Sequence, residues 1–465
     1  MENYEQINKT LEDINFPKIQ NKNIKRKSFQ LKKSIENLSE ILKNKIKIKE
    51  MAGKSIEGKT ENELRSILWR IYLDIISYNT IEEMKKDVSD SREEYKAKLS
   101  QYKTDDYIKF LNSEKNESDI NIFLEKIENF KIFTTEKSKN QNNFLESINL
   151  IKLDVHRTFQ DIDLFRNKNI IESISKILYI WNFDNFDTGY CQGMNEIVGT
   201  IYYALFPSYL LETSEKSEEK INDLEKENIY VESKKDNDDF YLFNSEIFVE
   251  ADVYVIFSQI MKRGFKDLYN YHDNKFRPKK QPDDPPIKSN LLSIEDINKM
   301  EISDLKKRIY KIFFIYLQIT DNILYEFISD ICDPCIFLFR WILCILNREI
   351  SIKNIIYVWD AIFAIEFLDR NFEIYKDNPQ IKQTHFHFLD FLCVAMIKNL
   401  KHQIIKEEDS GIVLSKLMNF PNENNLRQII SDGLIIRDEI ISYLSETSKN
   451  KKRSKFKIDK NYYVI

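Results

Sequence analysis

The sequence predicts an all-α protein built as two multi-helix halves, and three observations support this fold class. Apolar residues recur at spacings of three and four through most of the chain, as expected of helices that bury one face. Strand-type alternation does not persist for more than a few residues. Four of the nine prolines, Pro278, Pro282, Pro285 and Pro286, lie within residues 275–290. They prevent a continuous helix there and mark the boundary between the halves.

The predicted helices follow from this spacing. Leu64, Ile67, Leu68 and Ile71 place one apolar face on a helix over residues 61–78. The same reasoning favours a partly formed helix within 24–49 and amphipathic helix within 81–150. Further helices are predicted at 162–181, 197–206, 247–268, 305–331 (one or two helices), 337–346, 355–363 and 386–400.

Changes in composition define the domain organisation. Residues 212–239 contain eleven Asp or Glu against five Lys and few large apolar side chains. Such a segment gains too little from burial to offset its ordering entropy, which predicts a disordered acidic insertion. We therefore expect a basic N-terminal extension over 1–55 and a helical domain over 56–445. Its halves are 56–274, which contains the insertion, and 291–445, joined by a proline-rich linker at 275–290; a basic tail follows at 446–465.

Charge and cysteine usage narrow the functional class. The net charge of −5 gives no reason to expect nucleic acid as a partner. The five cysteines form no regular framework, which suits a reducing compartment. The N-terminus lacks a signal-peptide core, and no run of about eighteen apolar residues occurs. These features predict a cytoplasmic protein; its basic ends leave peripheral contact with anionic endomembranes as an open alternative.

Glycine is concentrated in one short window. Only eight glycines occur in 465 residues, and three of them, Gly189, Gly193 and Gly199, fall within eleven positions. Such clustering indicates left-handed backbone or close backbone approach. Because an apolar run from Ile197 to Phe206 follows, the window is interpreted as a polar turn that opens a buried helix and presents Gln192.

Two motifs give the chain a resemblance to a known family. The first is I-x-x-D-x-x-R, present as Ile151, Asp154 and Arg157; the second is Y-x-Q-G-M, present as Tyr190, Gln192, Gly193 and Met194. In this order and at this separation they resemble the TBC-domain family of GTPase-activating proteins for Rab GTPases. Supporting family motifs are the R-x-x-x-W segment of Arg65 and Trp69 and a C-terminal series, Pro334, Phe337, Arg340, Trp341, Glu349, Trp359, Asp360 and Phe363. The resemblance covers roughly residues 60–430 and, within the family, is strongest to the member-thirteen-like subgroup.

The resemblance implies a two-lobed TBC-type domain that stimulates GTP hydrolysis by a GTP-bound Rab. Arg157 would be an arginine finger and Gln192 a glutamine finger. Asp154 would restrict the rotamers of Arg157, and Thr158 would hold the local backbone. Gly193 would permit the turn, with Tyr190 and Met194 beside it, and Asn195 would cap the following helix. No G-x-x-x-x-G-K-[ST] loop is present, so GTP and Mg²⁺ are expected to come with the partner and the chain to need no cofactor of its own.

Other interpretations remain open at this point. An arginine three residues after an aspartate is usually a surface ion pair, and a Q-G dipeptide is usually a turn. The fold also suits a catalytically inactive Rab-binding scaffold or adaptor. Cys332 and Cys335 have metal-ligand spacing but no second pair, and His385 and His387 precede a buried helix, so no metal site is expected.

Overall fold

A computed structural model describes residues 45–113, 122–123, 137–206, 246–269, 293–371, 385–421 and 423–460. These residues form helices joined by turns, and no β-strand occurs among them. The N-terminal half contributes α1 Lys45–Ile56, α2 Asn62–Tyr72, α3 Ile81–Gln101, α4 Thr104–Asn112, α5 Lys137–Arg157, α6 Lys168–Asp184, α7 Met194–Leu205 and α8 Val249–Ile260. The C-terminal half contributes α9 Ile294–Lys299, α10 Asp304–Tyr310, α11 Asn322–Ser329, α12 Cys335–Leu343, α13 Ile352–Asn371, α14 Phe388–Asn399, α15 Ser410–Met418 and α16 Leu426–Lys460. The all-α prediction is confirmed.

Two of the helices lead into irregular segments. Helix α8 is followed by a kink at Met261–Phe265, where Arg263 and Gly264 have non-helical backbone angles and Gly264 has a φ of +100°. Helix α10 continues through Lys311–Leu317, so the predicted span 305–331 is a helix, a π-helical turn and then α11. Side-chain caps fix several starts, such as the capping box of Ser293 and Asp296 at α9.

The two halves share one core. All four tryptophans are among the fully buried side chains. Trp69 of α2 packs edge-on against Phe363 of α13, with ring centroids 5.1 Å apart. Its indole nitrogen donates to Oδ1 of Asp360 at 2.7 Å. The same carboxylate accepts from Nε of Arg65 at 3.1 Å. The R-x-x-x-W motif and the W-D-x-x-F motif therefore meet at one buried carboxylate that joins α2 to α13.

The folded body begins earlier than the predicted boundary at residue 56. Helix α1 packs against α13, and its Ile48, Met51 and Ala52 are buried. Met51 and Ala52 follow Ile48 by three and four positions, so the three side chains lie on one helix face. Burial of this face explains why this part of the basic extension folds. At the other end, α16 continues through Lys460 into the predicted tail. The acidic insertion and the proline-rich linker lie outside the described residues.

None of the described helices combines the length and the apolar character needed to cross a membrane.

Candidate active site

Helix α5 presents Arg157 at its last position. Ile151 and Val155 of this helix are buried, whereas the Arg157 side chain is 58% exposed. The hydroxyl of Thr158 donates to the carbonyl of Asp154 at 2.8 Å. Phe159 then adopts a φ of +44°, in the left-handed region, and turns the chain away. Arg157 therefore projects from a fixed helix end.

Gln192 lies on the turn before α7. Asn182, buried in α6, accepts a hydrogen bond from the backbone N–H of Tyr190 at 2.8 Å. Gly193 precedes the first helical residue and has a φ of +102°, a conformation that costs a side chain roughly 1–2 kcal/mol. Gln192 itself is exposed. The glycine that follows it thus lets the turn reverse while the glutamine points outward.

A buried polar network joins these two segments. Asp154, 1% exposed, forms an ion pair with Arg157 in which Nη2 and Oδ1 are 2.6 Å apart. Its other oxygen accepts from the hydroxyl of Tyr190 at 2.7 Å. Asn195 donates to the hydroxyl oxygen of Thr158 at 2.8 Å and to the carbonyl of Asp154 at 3.3 Å. Burial, and then the charge of Asp154, raises the pKa of Tyr190 well above its usual value, so its hydroxyl remains a donor.

Close approach of α7 to the Arg157 turn depends on Gly199. A Cβ atom added at this position would lie 3.0 Å from side-chain atoms of both Thr158 and Phe159. A larger residue would therefore separate the two segments. The glycine clustering is explained by left-handed backbone at Gly189 and Gly193 and by close packing at Gly199.

Arg157 and Gln192 line one open groove of about 690 Å³. Its remaining lining residues come from both halves of the protein: Thr158, Phe159, Gln160, Asp161, Asn195, Glu196, Arg340, Asn347 and Arg348. Three arginines and two carboxylates give this surface a net positive formal charge. Such a surface favours anionic or oxygen-rich partners.

The arginines that the C-terminal half contributes to the groove also form ion pairs. Arg348 binds Glu196 through Nε, 2.8 and 2.9 Å from the two carboxylate oxygens. This hydrogen bond raises the pKa of Arg348 above its usual value. Arg340 pairs with the buried Glu349, with Nη2 and Oε1 2.6 Å apart, and also donates to the carbonyl of Met418. Burial raises the pKa of Glu349 despite this pairing.

Metal or thiol chemistry finds no support in the described residues. No group of three or more His, Cys, Asp or Glu residues there has a geometry suited to a metal ion. Burial raises the pKa of Cys332 to about 11 and that of Cys335 to about 12, the opposite of what a reactive thiol needs. His387 is buried and bonded to Asp369, with Nε2 and Oδ2 2.9 Å apart.

Comparison with known proteins identifies the family. A model of the Rab-GTPase-TBC domain matches residues 111–280 and 289–405, more than half of the 465 residues. This chain belongs to the Rab-GTPase-TBC domain family. The crystal structure of the Ypt/Rab-GAP domain of Gyp1p shares the fold, with a TM-score of 0.54 and 18% sequence identity. That superposition covers 87% of this chain and 98% of the Gyp1p domain.

Longer relatives in the TBC family are also similar. Human TBC1 domain family member 22B is 23% identical over 361 residues, which are 77% of this chain and 52% of that protein. Human TBC1 domain family member 5 is 22% identical over 304 residues, which are 62% of this chain and 32% of that protein. The chain thus spans about half or less of the curated relatives it matches. The member-thirteen-like subgroup stays a prediction.

Within this TBC domain, the predicted supporting residues lie in or beside the two segments that carry Arg157 and Gln192: Asp154, Thr158, Tyr190, Gly193, Met194 and Asn195. The motif residues Arg65, Trp69, Asp360 and Phe363 lie instead at the buried junction of α2 and α13. One expectation is wrong: Asn195 does not cap α7, because Gly193 holds the cap position and Asn195 lies in the first turn. There its carboxamide links α7 to α5, and its Oδ1 accepts the backbone N–H of Gly193 at 3.2 Å.

Sequence reasoning missed Asn182, Asn347, Arg348 and Glu196. Asn347, Arg348 and Glu196 belong to no short motif, because each contacts a residue 147 or 152 positions away. Asn182 binds Tyr190 only eight positions along the chain, but a lone asparagine in a helix forms no recognisable pattern.

Proposed function

We propose that this chain is a GTPase-activating protein that accelerates GTP hydrolysis by a Rab-family small GTPase. Arg157 and Gln192 would act in trans on the nucleotide of the docked, GTP-bound partner. One observation carries this proposal: two exposed side chains, 35 positions apart, line the same groove while a buried Asp154–Tyr190–Asn195 network ties their backbones together.

Arg157 supplies positive charge where the transferred phosphoryl group develops negative charge. Its guanidinium stays protonated and bonds two oxygens at once, which a lysine does not reproduce. An arginine supplied in this way accelerates GTP hydrolysis by roughly 10³ to 10⁵ in GTPase systems. The Arg157 guanidinium is 58% exposed although Asp154 is buried, so its other N–H groups are free to bind phosphate oxygens while Nη2 keeps its contact with Asp154.

Gln192 positions the attacking water. Its amide oxygen accepts a hydrogen bond from the water, and its amide nitrogen donates to an oxygen of the GTPase or the nucleotide. The water attacks the γ-phosphorus, the bond to the β-phosphate oxygen breaks, and GDP and inorganic phosphate leave. Since no protein base is required, His156 beside the arginine has no assigned step.

The partner is proposed to bring both GTP and Mg²⁺, and the chain needs no cofactor of its own for this chemistry. The net positive groove suits the phosphate-bearing face of a GTPase. The domain of Gyp1p that shares this fold is a Ypt/Rab-GAP domain. We further propose that the chain works in the cytoplasm, at the periphery of endomembranes, where such a partner regulates vesicle traffic.

Single-turnover GTP hydrolysis by a panel of Rab GTPases tests the proposal. We expect acceleration by the wild type, and its loss by about 10³-fold or more in Arg157→Ala. Arg427→Ala is a matched control, because Arg427 is also exposed, on α16, and lies outside the groove. Gln192→Ala is compared with Gln428→Ala, which removes an exposed glutamine from α16.

The assay also separates the alternative function. Tight binding of a GTP-loaded Rab without acceleration would identify a scaffold with the same fold. Wild-type protein that changes no Rab hydrolysis rate would overturn the proposed activity.

A further inference from the structure

The chain after α12 makes a strained turn that reaches the groove. Ile345 and Leu346 have φ values of +47° and +64°. Two consecutive left-handed residues without glycine are unusual, and a β-branched isoleucine disfavours this region strongly. Backbone strain of this kind persists only when the surroundings impose it, and it concentrates at sites that present a side chain.

Neighbouring groups hold Ile345 and Leu346 in this left-handed conformation. The backbone N–H of Leu346 donates to the carbonyl of Trp341 at 2.8 Å. The indole of Trp359 donates to the carbonyl of Ile345 at 3.0 Å. Cys344 is buried, and its sulfur would lie 3.1 Å from a Cβ atom added at Gly193. It therefore packs beneath the Gln192 turn. The strained turn is thus fixed from below and packed against the segment that presents Gln192.

This turn presents Asn347 and Arg348 to the groove. The Asn347 side-chain oxygen accepts from the hydroxyl of Thr200 at 2.9 Å. Its amide nitrogen is buried, and no described atom accepts a hydrogen bond from it. Arg348 uses Nε and Nη2 for Glu196 and remains 33% exposed. Two consecutive residues of the groove lining therefore have donor capacity not used within the described residues: the buried amide of Asn347 and the partly exposed guanidinium of Arg348.

We propose that Asn347 and Arg348 form a second recognition point for the bound GTPase and receive a carboxylate side chain of that partner. A planar guanidinium with an adjacent amide matches the two oxygens of a carboxylate. Arg157 and Gln192 of the N-terminal half serve the nucleotide, and Asn347 and Arg348, which the C-terminal half contributes to the same groove, are assigned to the partner's protein surface. This inference rests on the proposed function, because it names how the same partner is held.

The test uses the Rab that wild type accelerates most, with KM and kcat measured separately. We expect Arg348→Met to raise KM about tenfold or more while kcat changes less than twofold, since the contact is equal in the ground and transition states. Asn347→Asp keeps an oxygen for Thr200, replaces the donor with a carboxylate, and should raise KM by a similar factor. Lys401→Met is the matched control: Lys401 pairs with Asp321, has a similar exposure of 30%, and lies outside the groove.

Glu196→Gln distinguishes recognition from a structural latch. Glu196→Gln removes the Arg348–Glu196 ion pair but keeps Arg348. If Arg348 acts only through this ion pair, Glu196→Gln and Arg348→Met should raise KM equally, and that result would overturn the inference. A smaller change in Glu196→Gln supports it. Rescue of Arg348→Glu by a single Asp-to-Lys or Glu-to-Lys change on the Rab would identify the partner's carboxylate; if no acidic position rescues it, the carboxylate assignment is wrong.

Affinity measurements keep this inference separate from the proposed activity. The same variants are titrated with the Rab panel loaded with a non-hydrolysable GTP analogue. Binding that Arg348→Met weakens tenfold, with no acceleration by wild type, would retain this contact and overturn the activity. Acceleration by wild type with unchanged affinity in both variants would overturn only this contact, and absence of binding by any Rab would overturn both.

Discussion

The hydroxyl of Tyr190 connects the segment that carries Gln192 to the helix that carries Arg157, and its removal should damage both. Tyr190→Phe deletes one oxygen and keeps a ring that is 5% exposed, so core packing is preserved. The lost contacts are the 2.7 Å hydrogen bond to Asp154, whose carboxylate is 1% exposed, and a 3.1 Å hydrogen bond to Oδ1 of Asn195. The first is one of the two contacts that hold the carboxylate oxygens, together with the ion pair to Arg157.

The expected magnitudes follow from that geometry. A hydrogen bond to a charged group contributes about 1.5–3 kcal/mol, so the free energy of unfolding should fall by about that amount. Catalysis should fall as well, because the Gln192 turn is no longer tied to the helix end of Arg157. A displacement of about 1 Å in a positioning group can cost roughly 10²-fold in rate. We therefore expect the acceleration of GTP hydrolysis to drop by about 10- to 100-fold, less than in Arg157→Ala.

Urea unfolding and single-turnover hydrolysis are measured for Tyr190→Phe, Asp154→Asn and the double variant. Contacting residues in one network should be non-additive by about 1 kcal/mol or more in unfolding free energy. Tyr443→Phe, a change to an exposed tyrosine of α16, is the control and should leave both quantities unchanged. Additive effects of the two changes, or full acceleration in Tyr190→Phe, would refute the connection between the fingers.

Three further predictions concern the turn, the junction of the halves and the thiols. Gly193→Ala should lower unfolding free energy by roughly 1–2 kcal/mol and reduce acceleration toward that of Gln192→Ala, because its φ is +102°; unchanged urea midpoint and rate would contradict this. Asp360→Asn should cost about 3 kcal/mol in urea unfolding, since it leaves a buried guanidinium without its charge partner; a loss under 1 kcal/mol would contradict it. Burial raises the pKa of the Cys191 thiol to about 11, so below that pH it keeps its proton in the native state. Its alkylation at pH 8.5 should be about a hundredfold slower than after unfolding, where the ordinary pKa is about 8.5, and equal rates would exclude this shift.

The sequence predicts the helical parts of this fold well because the responsible signal is local. Apolar spacing identifies α2, α6, α7 and α14 to within a few residues at most ends. The prediction at 61–78 runs too far, since α2 ends at Tyr72 and Asp74 adopts a φ of +51°. No local pattern announces that reversal. The start of the folded body is also misplaced, because lysines between the apolar residues of α1 conceal its buried face.

The candidate site also contains residues that local spacing predicts and residues that only tertiary contacts place. The I-x-x-D-x-x-R spacing encodes an ion pair between residues one helical turn apart, so Asp154 and Arg157 are readable from the sequence. The clustered glycines likewise indicate a turn that Gln192 occupies. The groove residues of the C-terminal half are not readable in this way, because the strained residues before them, Ile345 and Leu346, resemble ordinary helical apolar positions. Their conformation follows from tertiary hydrogen bonds, and sequence periodicity carries no record of those.

This difference between local and tertiary signals suggests how the groove residues of the N-terminal half differ in function from those of the C-terminal half. Side chains specified by short local motifs hold chemistry that must be the same for every GTP molecule, since the transferred phosphoryl group does not vary. Side chains placed by tertiary strain, such as Asn347 and Arg348, change position whenever the packing beneath them changes. Trp359→Phe removes the indole donor to the carbonyl of Ile345 and keeps an aromatic ring, so it should alter KM among Rab partners more than kcat. A Trp359→Phe variant whose kcat falls while its ranking of Rab partners stays constant would argue against this separation of roles.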